Sequence, residues 1–549
     1  MWNFATGHKE NLKLNVQMDT TIYHVGFKLS GGHCFNPTIE STIILDTKKA
    51  SSIYSKEEDK QRNKRNWYVN AGLEARFDIR PTDILSVSVD YGYNGDKDKA
   101  KLDAMRNNIG KDTLTGNQFD TVASNEHRLE PKINYLHTFG KADSKLTLSV
   151  LGLIDNKEES MIRTVGGNYY SRQKYYQTVS SLNDLDTRLL LHYDDASLAG
   201  VKNLKFCSGV DVFFNNDIDL YNGSNRVNGE WRDSTALKQS YYYYSFALEP
   251  FVNAGYTYKR FSFYVNERVQ WYYHQLMDKL EEKKSEQYQF QKDQWQNILA
   301  AGFAFKFNSR HKIGLDYKRT LSRPDYKKLS TTYVIGSSEG EYMHGNPDLK
   351  PQTTDDASMT YCFTAEHFSL DLTAGYRYTE NKVEKVLDVI PEGETGMSTV
   401  FTWINANKQH TGRTVLNLKI NYAEVQARMW LGTYYDTYIK KENTIDKTDF
   451  NFDVGIDLSA MLTPTLRLSS TLTYRSAKAS AYNVKGEYIG ADFRLTKTFL
   501  DKLDLYVNIN DLVDKNDYEQ TWNAQYTYYK VVEKQLGRRS VQVGIVYNF

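Results

Sequence analysis

The sequence predicts an all-β protein: a transmembrane antiparallel β-barrel of about 22 strands, with short periplasmic turns and long extracellular loops. Three observations lead to this fold class. Apolar and polar residues alternate along segments that are long enough to cross a bilayer. Short connections alternate with long polar ones along the chain. No stretch of the 549 residues is apolar enough to form a transmembrane helix.

The alternation is clearest at residues 67–77, where the odd-numbered residues are apolar and the even-numbered ones include Glu74 and Arg76. The same division recurs at residues 368–378 and 450–460. Successive side chains of a strand point to opposite faces, so each of these segments has one apolar face and one polar face. We expect the apolar face to contact lipid and the charged face to line a wet lumen.

Strand length and connection length distinguish this pattern from the sheets of soluble proteins. The strands run about 9 to 13 residues or longer, whereas about 5 to 6 is usual in globular sheets. Short connections are predicted at residues 80–83, 140–144, 259–260, 308–311, 365–367, 461–464 and 499–502. Long polar stretches lie between them, at residues 94–127, 155–185, 215–239, 322–355 and 511–537. Outer-membrane barrels place the short set in the periplasm.

The composition agrees with a wall that has two chemically different faces. The chain contains 42 tyrosines and 25 phenylalanines, yet 25% of its residues are charged. Tyrosine and tryptophan favour the two interfaces of a bilayer, which accounts for the aromatic excess. The 69 Lys and Arg residues nearly balance the 68 Asp and Glu residues, so no nucleic-acid partner is expected. We predict one barrel domain that spans residues 1–549.

The sequence offers no catalytic or cofactor signature, so we predict that the protein is not an enzyme and holds no cofactor or metal. Its three cysteines lie far apart, and the motifs HExxH, GxSxG, GxxxxGK[ST] and GxGxxG are missing. Acidic pairs such as Asp355–Asp356 are expected to be solvated or to contact lipopolysaccharide through divalent ions. Outer-membrane lipid and lipopolysaccharide are therefore the expected surroundings.

The two ends of the chain are interpreted separately. About 19 strands can be placed from Trp67 onward, and the preceding residues offer up to three more, at 12–18, 22–29 and 39–45, with a tight turn at 18–21. The first residues lack the features of a secretory signal, so a signal has been removed or the chain belongs to a longer precursor. The last strand is amphipathic and ends in Tyr547 and Phe549, which resembles the signal that the barrel assembly machinery reads in outer-membrane proteins.

Three internal segments carry a family resemblance. Residues 321–326 contain Arg323 and Pro324, and after a polar loop they are followed by a Gly-Asn-Pro block that consists of Gly345, Asn346, Pro347, Asp348, Leu349, Lys350 and Pro351. Together with residues 505–514 they resemble TonB-dependent receptor barrels, and most closely the outer-membrane protein β-barrel family common in Bacteroidetes-like bacteria. Val513 stands where that family commonly has phenylalanine.

The resemblance implies a transport role, and it also implies that the N-terminal plug domain of this class is missing. Receptors of this class have an N-terminal plug and a short box that engages TonB, and nothing in residues 1–66 resembles either. We therefore expect the plug to be absent from this chain. Gly345 and Asn346 tolerate positive φ and Pro347 fixes the next φ, so the block should shape an outer loop rather than contact a ligand.

Aromatic pairs at the loop bases are the remaining site candidates. They could stack against a glycan or siderophore, but an interfacial girdle explains the same positions and is favoured. The candidates are Trp231, Tyr241, Tyr242, Trp271, Tyr272, Tyr434 and Tyr435.

The leading functional hypothesis is the barrel portion of a TonB-dependent receptor that imports a large or scarce nutrient: a glycan, siderophore, cobalamin or peptide. A separate plug segment, TonB acting through that plug, and a surface lipoprotein are the implied partners. Two alternatives stay open, a plugless diffusion pore and a membrane platform for a surface lipoprotein or a secreted partner.

Overall fold

The computed structural model describes residues 8–547 except for 20–22, 50–51, 109–113, 141–143, 168–173, 199–200, 202, 228, 234–238, 279–289, 332–333, 336–340, 389–398, 406–407, 440–446, 480–483, 500–502, 514–516, 525–526 and 537–539.

The described residues form strands and one short helix. In chain order the elements are β1 (His8–Asp19), β2 (Tyr23–Lys49), β3 (Ser52–Arg80), β4 (Asp83–Asn108), β5 (Leu114–Thr138), β6 (Ser144–Gly167), β7 (Lys174–Asp195), β8 (Leu204–Val227), β9 (Glu230–Asp233), β10 (Gln239–Tyr258), β11 (Phe261–Asp278), β12 (Phe290–Lys306), β13 (His311–Ser322), α1 (Tyr326–Leu329), β14 (Val334–Ile335), β15 (Glu341–Met343), β16 (Gln352–Thr364), β17 (Phe368–Glu380), β18 (Val383–Leu387), β19 (Thr399–Asn405), β20 (Lys408–Tyr422), β21 (Val425–Ile439), β22 (Lys447–Thr463), β23 (Leu466–Arg475), β24 (Lys478–Ala479), β25 (Val484–Lys485), β26 (Tyr488–Phe499), β27 (Leu503–Asn510), β28 (Asp517–Ala524), β29 (Thr527–Leu536) and β30 (Ser540–Tyr547).

The wall of the barrel is a single antiparallel sheet. Among the described residues it contains 21 strands, each paired with the next one along the wall: β1–β8, β10–β13, β16, β17, β20–β23, β26, β27 and β30. This confirms the predicted all-β transmembrane barrel and comes close to the expected strand number. Within the same residues, no helix has the length and apolar character needed to cross a membrane.

The two faces of the wall differ as the alternation predicts. On β3, Val69, Leu73 and Phe77 are exposed on the outer surface. The intervening Glu74 lies on the opposite face, where it pairs with Lys28 of β2 at 3.7 Å. Burying apolar groups in lipid is favourable, whereas a charged group there is costly, so this alternation orients the wall in the membrane.

The seven predicted short turns join neighbouring wall strands at one end of the barrel. For example, β10 ends at Tyr258 and β11 begins at Phe261, with Lys259 at a φ of 51°. An eighth short turn, at Ala423 and Glu424 between β20 and β21, was not predicted. It has neither glycine nor proline to signal it, and Ala423 adopts a φ of 48°.

The polar stretches at the other end are long, but several of them are not loops. Most of residues 94–127, 155–185 and 215–239 continue the wall as paired strands, so that β4 runs 26 residues and β6 runs 24. Above the membrane both faces of a strand meet water, and the apolar alternation that reveals a strand disappears. Sequence reasoning therefore ended these strands too early.

The prediction of three strands before Trp67 is partly wrong. The expected hairpin near residues 18–21 is present, since Asp19 of β1 pairs with His24 of β2. Residues 22–29 and 39–45, however, both fall largely in β2, whose register with β3 shifts between Asn36 and Ile39. Pro37 lies at this shift, where a residue without an N–H group is tolerated. The bulge breaks the two-residue period and makes one strand resemble two.

The stretch at residues 511–537 also contains strands. Its hairpin, β28 and β29, leaves the outer end of β27 and pairs with β2, with Leu536 opposite Glu40. Two further outer connections meet in a small sheet that joins β14, β15, β19 and β18. These additions lie on the side of the membrane away from the short turns.

Candidate transport lumen

Charged side chains pair with one another on the luminal face of the wall. Asp356 accepts hydrogen bonds from Arg377 and Arg413, each at 2.7 Å. Arg268 bridges Asp211 at 2.9 Å and Glu249 at 2.5 Å. Each cation faces a carboxylate one or two strands away along the wall, which offsets the cost of partly burying both charges. These two parts of the luminal face are therefore polar, and their charges are paired.

The pair Asp355–Asp356 does not act as one acidic unit. Consecutive residues of β16 face opposite sides of the wall, so Asp356 joins the luminal arginines while Asp355 faces outward and bonds Arg319 at 2.7 Å. Both carboxylates thus have arginine partners within the chain. The pair is thus held by arginines and is not freely solvated, and its contact with lipopolysaccharide stays a prediction.

The connection between β13 and β16 folds inward against the wall near its outer end. The Asp325 side chain accepts a hydrogen bond from the Lys328 N–H and caps α1. Tyr326 of α1 donates a hydrogen bond from Oη to Asp219 Oδ2 of β8 at 3.0 Å. Burial, followed by the neighbouring Asp219, raises the pKa of Tyr326, so the phenol stays a neutral donor.

Aromatic and aliphatic side chains complete this attachment, which we name the inner-loop anchor. The Tyr326 ring stacks on Tyr243 of β10 with 5.6 Å between centroids. The anchor is a cluster of buried residues that consists of Tyr241, Tyr243, Leu276, Tyr326, Leu329 and Leu349. Leu349 thus packs in a core, as one expects of a residue that shapes a loop.

Arg323 attaches the start of the same connection to β11. Its guanidinium carbon lies 3.8 Å from the centroid of the Tyr272 ring, and its Nη2 donates to Gln270 Oε1. Burial lowers the pKa of Arg323, but an arginine stays protonated over the physiological range. Pro324 is buried beside it. The Arg-Pro block therefore holds the loop on the lumen wall.

The Gly-Asn-Pro block makes the return turn of this loop. The Gly345 N–H donates to the Ser330 carbonyl at 2.5 Å, and the Asn346 N–H donates to the Lys328 carbonyl at 2.6 Å. A Cβ atom on Gly345 would lie 2.5 Å from the Lys328 carbonyl, so only glycine fits this approach. The Asn346 side chain accepts from the Asp348 N–H and donates to the Trp403 carbonyl.

The end of the block is fixed to the next outer connection. The Lys350 N–H donates to Asn405 Oδ1 at 2.7 Å, and Asn405 Nδ2 donates back to the Lys350 carbonyl at 3.0 Å. Pro347 and Pro351 are half-buried within this turn. The hydrogen bonds of the block thus join the connection between β13 and β16 to the connection between β17 and β20.

The candidate aromatic pairs separate onto opposite faces of the wall. Tyr241, Tyr272 and Tyr434 face the lumen, while Tyr242, Trp271 and Tyr435 face outward. Trp231 is exposed on β9, beyond the membrane. Trp271 packs against Phe246 and Trp295 on the outer surface, as a girdle residue would.

The luminal aromatic residues already have protein partners. Arg323 covers the face of Tyr272, whose Oη lies 2.6 Å from Tyr243 Oη. Tyr241 belongs to the inner-loop anchor, and Lys478 Nζ lies 5.8 Å from the Tyr434 ring. Sequence reasoning missed Asp219. It did not single out Tyr243 or Tyr326 as site residues, although Tyr326 ends the motif segment at residues 321–326 and the two-residue period places Tyr243 on the same face as Tyr241.

Two adjoining recesses open on the luminal face between β2 and β7. They have volumes of about 300 Å³ and 230 Å³ and share Ser88, Asp90 and Lys132. Arg128 and Arg188 line the larger one. Such recesses suit a polar ligand or a polar protein surface. The described residues contain no group of three or more metal-binding side chains.

At the C-terminal end, Tyr547 is the last residue of β30 and pairs with Leu503 of β27. The terminal Phe549 lies outside the described residues. The backbone of Tyr547 thus has strand conformation, and the assembly signal stays a prediction.

The fold is similar to that of three solved transport proteins and receptors. These are the copper transporter OprC (TM-score 0.58, 10% identity, 98% of this chain and 81% of that one), the ferric-catecholate import receptor Fiu from K12 E. coli (0.55, 9%, 90% and 82%) and the ferric yersiniabactin uptake receptor FyuA from Yersinia pestis (0.53, 10%, 100% and 81%). At such identities the likeness concerns the fold alone. No curated protein sequence matches this chain.

A family model of outer-membrane barrels matches residues 137–547, which is well over half of the chain. That match covers the luminal ion pairs, the inner-loop anchor and the last wall strand. The protein therefore belongs to the outer membrane protein beta-barrel family and resides in the cell outer membrane.

Proposed function

We propose that this chain forms the barrel of an outer-membrane receptor that imports a large or scarce nutrient of the glycan, siderophore, cobalamin or peptide class. The observation that carries the proposal is the inner-loop anchor. It brings an outer connection over the lumen and fixes it by the Tyr326–Asp219 hydrogen bond. A loop held there narrows the entrance, which is useful to a selective receptor.

The similar solved structures support the receptor class. Their names describe a copper transporter, a ferric-catecholate import receptor and a ferric yersiniabactin uptake receptor. The substrate of the present chain is proposed only by class, because at these identities nothing transfers from their ligands.

We further propose that a plug fills the lumen and couples it to TonB. Barrels of this width hold a plug in transporters, since an open lumen would leak. The described residues before Trp67 are occupied by β1, β2 and part of β3, so we propose that a segment outside the wall supplies the plug. A surface lipoprotein could then deliver ligand from outside, and the barrel assembly machinery would insert the chain.

We also propose that the protein has no enzymatic activity. A ligand would then leave the barrel chemically unchanged, which mass spectrometry of the imported compound checks.

The proposal is tested by uptake in the native host. Cells with and without an in-frame deletion of this chain are given a panel of labelled glycans, ferric siderophores, cobalamins and peptides. We expect one class to accumulate only in cells that carry the chain. Equal accumulation of every class in both strains would overturn the import role.

Planar-bilayer recordings separate the receptor from a passive pore. The receptor purified with its plug should show little conductance. A large constant conductance of that native complex would instead support the diffusion pore. A silent barrel that co-purifies with a stoichiometric exported or surface protein, without any uptake phenotype, would support the platform.

A further inference from the structure

A polar pair lies on the outward face of the wall, within the height of the membrane. Glu267 of β11 is on the same face as Trp271, opposite to the luminal Arg268. The Asn297 side chain of β12 donates a hydrogen bond from Nδ2 to Glu267 Oε1. Glu267 comes four residues before the girdle residue Trp271, which places it about 10 Å below that girdle in a tilted strand. The pair therefore lies among lipid chains and not at the water interface.

The corresponding positions of other wall strands are apolar. Glu267 is the seventh residue of β11, counted from the short turn at its start. The seventh residue also faces outward in three other strands that begin at short turns, where it is Ala374 of β17, Leu431 of β21 or Leu472 of β23. A charged side chain on the lipid face is destabilising, so Glu267 is out of place on a wall that contacts lipid alone.

The pair keeps hydrogen-bonding capacity that the chain does not use. An asparagine amide has two N–H groups and a carbonyl, and a carboxylate accepts from about four directions. Within the described part of the chain, the bond between Glu267 and Asn297 is the only hydrogen bond of either side chain. By contrast, Arg319 and Asp355 also face outward, but they carry opposite charges and join through two bonds nearer the outer ends of their strands. Unsatisfied polar groups are costly in hydrocarbon, so the Glu267–Asn297 pair indicates a surface that a polar partner covers.

Aromatic side chains extend this surface above and below the pair. Toward the short turns, four phenylalanine rings pack together across the two strands: Phe261, Phe263, Phe303 and Phe305. Toward the outside, Trp295 is 69% exposed and packs against Trp271. We name the outward side chains of β11 and β12 between these rings, with the rings themselves, the polar-pair face. Aromatic residues are enriched in protein interfaces, so the composition of this face suits a protein partner.

We propose that the polar-pair face binds a second copy of this chain within the membrane, around a two-fold axis parallel to the membrane normal. All copies insert in one orientation, so this axis keeps each residue at the depth of its equivalent. Glu267 and Asn297 then meet the same two residues of the second copy. An Asn297 N–H of each copy can donate to the Glu267 carboxylate of the other, which satisfies the groups that lipid leaves unpaired. The inference does not depend on the proposed function.

Lipid and other arrangements of two copies do not supply the missing partners. Acyl chains have no hydrogen-bond donor or acceptor. Without a two-fold axis, the pair would face a different part of the neighbouring wall, such as Leu431 or Leu472, which offers no polar side chain at this depth. A two-fold contact joins identical surfaces, so it is the arrangement that brings donor and acceptor together.

Site-specific photo-crosslinking in native outer membranes tests the occupant. A photo-crosslinking phenylalanine derivative replaces Val265, which is 49% exposed beside Glu267, in cells that express the full chain with two different affinity tags. We expect a cross-linked product that carries both tags. The control position is Leu372 of β17, which is 40% exposed on the outward face and, like Val265, is the fifth residue of its strand. Equal yields at the two positions, no product at Val265, or a product with a different protein would overturn the proposal.

Removal of the polar pair tests the contact itself. The double variant Glu267→Leu with Asn297→Leu has a fully apolar outward face and should fold, but energy transfer between labelled copies in lipid vesicles should show dimerisation weakened about tenfold or more, because two symmetric hydrogen bonds are lost. Glu267→Gln keeps hydrogen-bonding groups and should dimerise like the parent protein. Ser470→Leu, on the outward face of β23, is the control for loss of a polar group elsewhere and should also leave dimerisation unchanged. If the double variant dimerises as tightly as the parent protein, the polar pair is not at an interface and the proposal is wrong.

Discussion

Tyr326 Oη donates a hydrogen bond to Asp219 Oδ2 at 3.0 Å, and this bond joins the connection after β13 to the luminal face of β8. The two residues are 107 positions apart in the chain. Their contact holds this connection against the luminal face of the wall. It makes the connection an inward-folded element and not a freely solvated outer loop.

Replacing Tyr326 by phenylalanine should loosen the inner-loop anchor without unfolding the barrel. A hydrogen bond to a carboxylate contributes about 1.5 to 3 kcal/mol, and the Asp219 carboxylate would lose this donor. Hydrogen exchange of the amides at 326–349 should become faster. Tyr435→Phe, on the outward face, is the matched control and should leave these amides unchanged. If these amides exchange equally slowly in Tyr326→Phe and in the parent protein, the Tyr326–Asp219 hydrogen bond is not needed to hold the connection.

Gly345→Ala should displace the return turn. The new Cβ would meet the Lys328 and Ser330 carbonyls at 2.5 to 2.6 Å, and such overpacking costs about 1 to 3 kcal/mol. Limited proteolysis should cut the connection between β13 and β16 more rapidly in this variant. Gly412→Ala is the control, because nothing lies within 4 Å of its added Cβ. If both variants are cut at the same rate as the parent protein, Gly345 does not approach the Lys328 and Ser330 carbonyls as closely as the structure indicates.

Arg323 and Tyr272 should be energetically coupled. The guanidinium carbon lies close enough to the ring centroid, at 3.8 Å, for a cation–π contact, which contributes about 0.5 to 2 kcal/mol, and lysine lacks the planar guanidinium group. A double-mutant cycle with Arg323→Lys and Tyr272→Leu, read from hydrogen exchange of the loop, should give non-additive effects. Strictly additive effects would mean that the two side chains act independently.

A charge on the outward face should be far more costly than one on the luminal face. Leu372 of β17 is exposed to lipid, and the adjacent Thr373 faces inward, where it bonds Thr360 at 3.0 Å. Arginine in place of a lipid-facing residue near the midplane costs about 2 to 4 kcal/mol. Urea titration in lipid vesicles should therefore show a large loss of stability for Leu372→Arg and a much smaller one for Thr373→Arg. A larger loss of stability for Thr373→Arg than for Leu372→Arg would mean that the lipid-facing and luminal faces of the wall are assigned the wrong way round.

The sequence predicts the wall well where the two faces have different solvents. Trp67 to Phe77 contacts lipid on one side and water on the other, so its alternation predicts both the strand and its orientation. Residues 94–127 meet water on both sides, and there the strand is held by backbone pairing that no side-chain pattern reveals. At Pro37 the prediction divided one continuous strand into two, because the bulge shifts the register and interrupts the alternation.

The inner-loop anchor could be predicted only in part. Leu349 and the Arg-Pro block were identified by their family motif, and the turn at Gly345 by its residue types. Their contact with Asp219 and Tyr243 could not be predicted, because it joins parts of the chain that only the closed wall brings together. The two-residue period predicts that Tyr241 and Tyr242 face opposite sides of the wall. It does not predict that Arg323 covers the Tyr272 ring.

The most direct test of the import proposal is the energy dependence of uptake. The initial rate for the nutrient that depends on this chain is measured in cells with and without TonB, at equal amounts of barrel in the outer membrane. A TonB-coupled receptor predicts that uptake falls to background without TonB while ligand still binds at the cell surface. Uptake that continues at the full rate without TonB would contradict the account and support a passive pore.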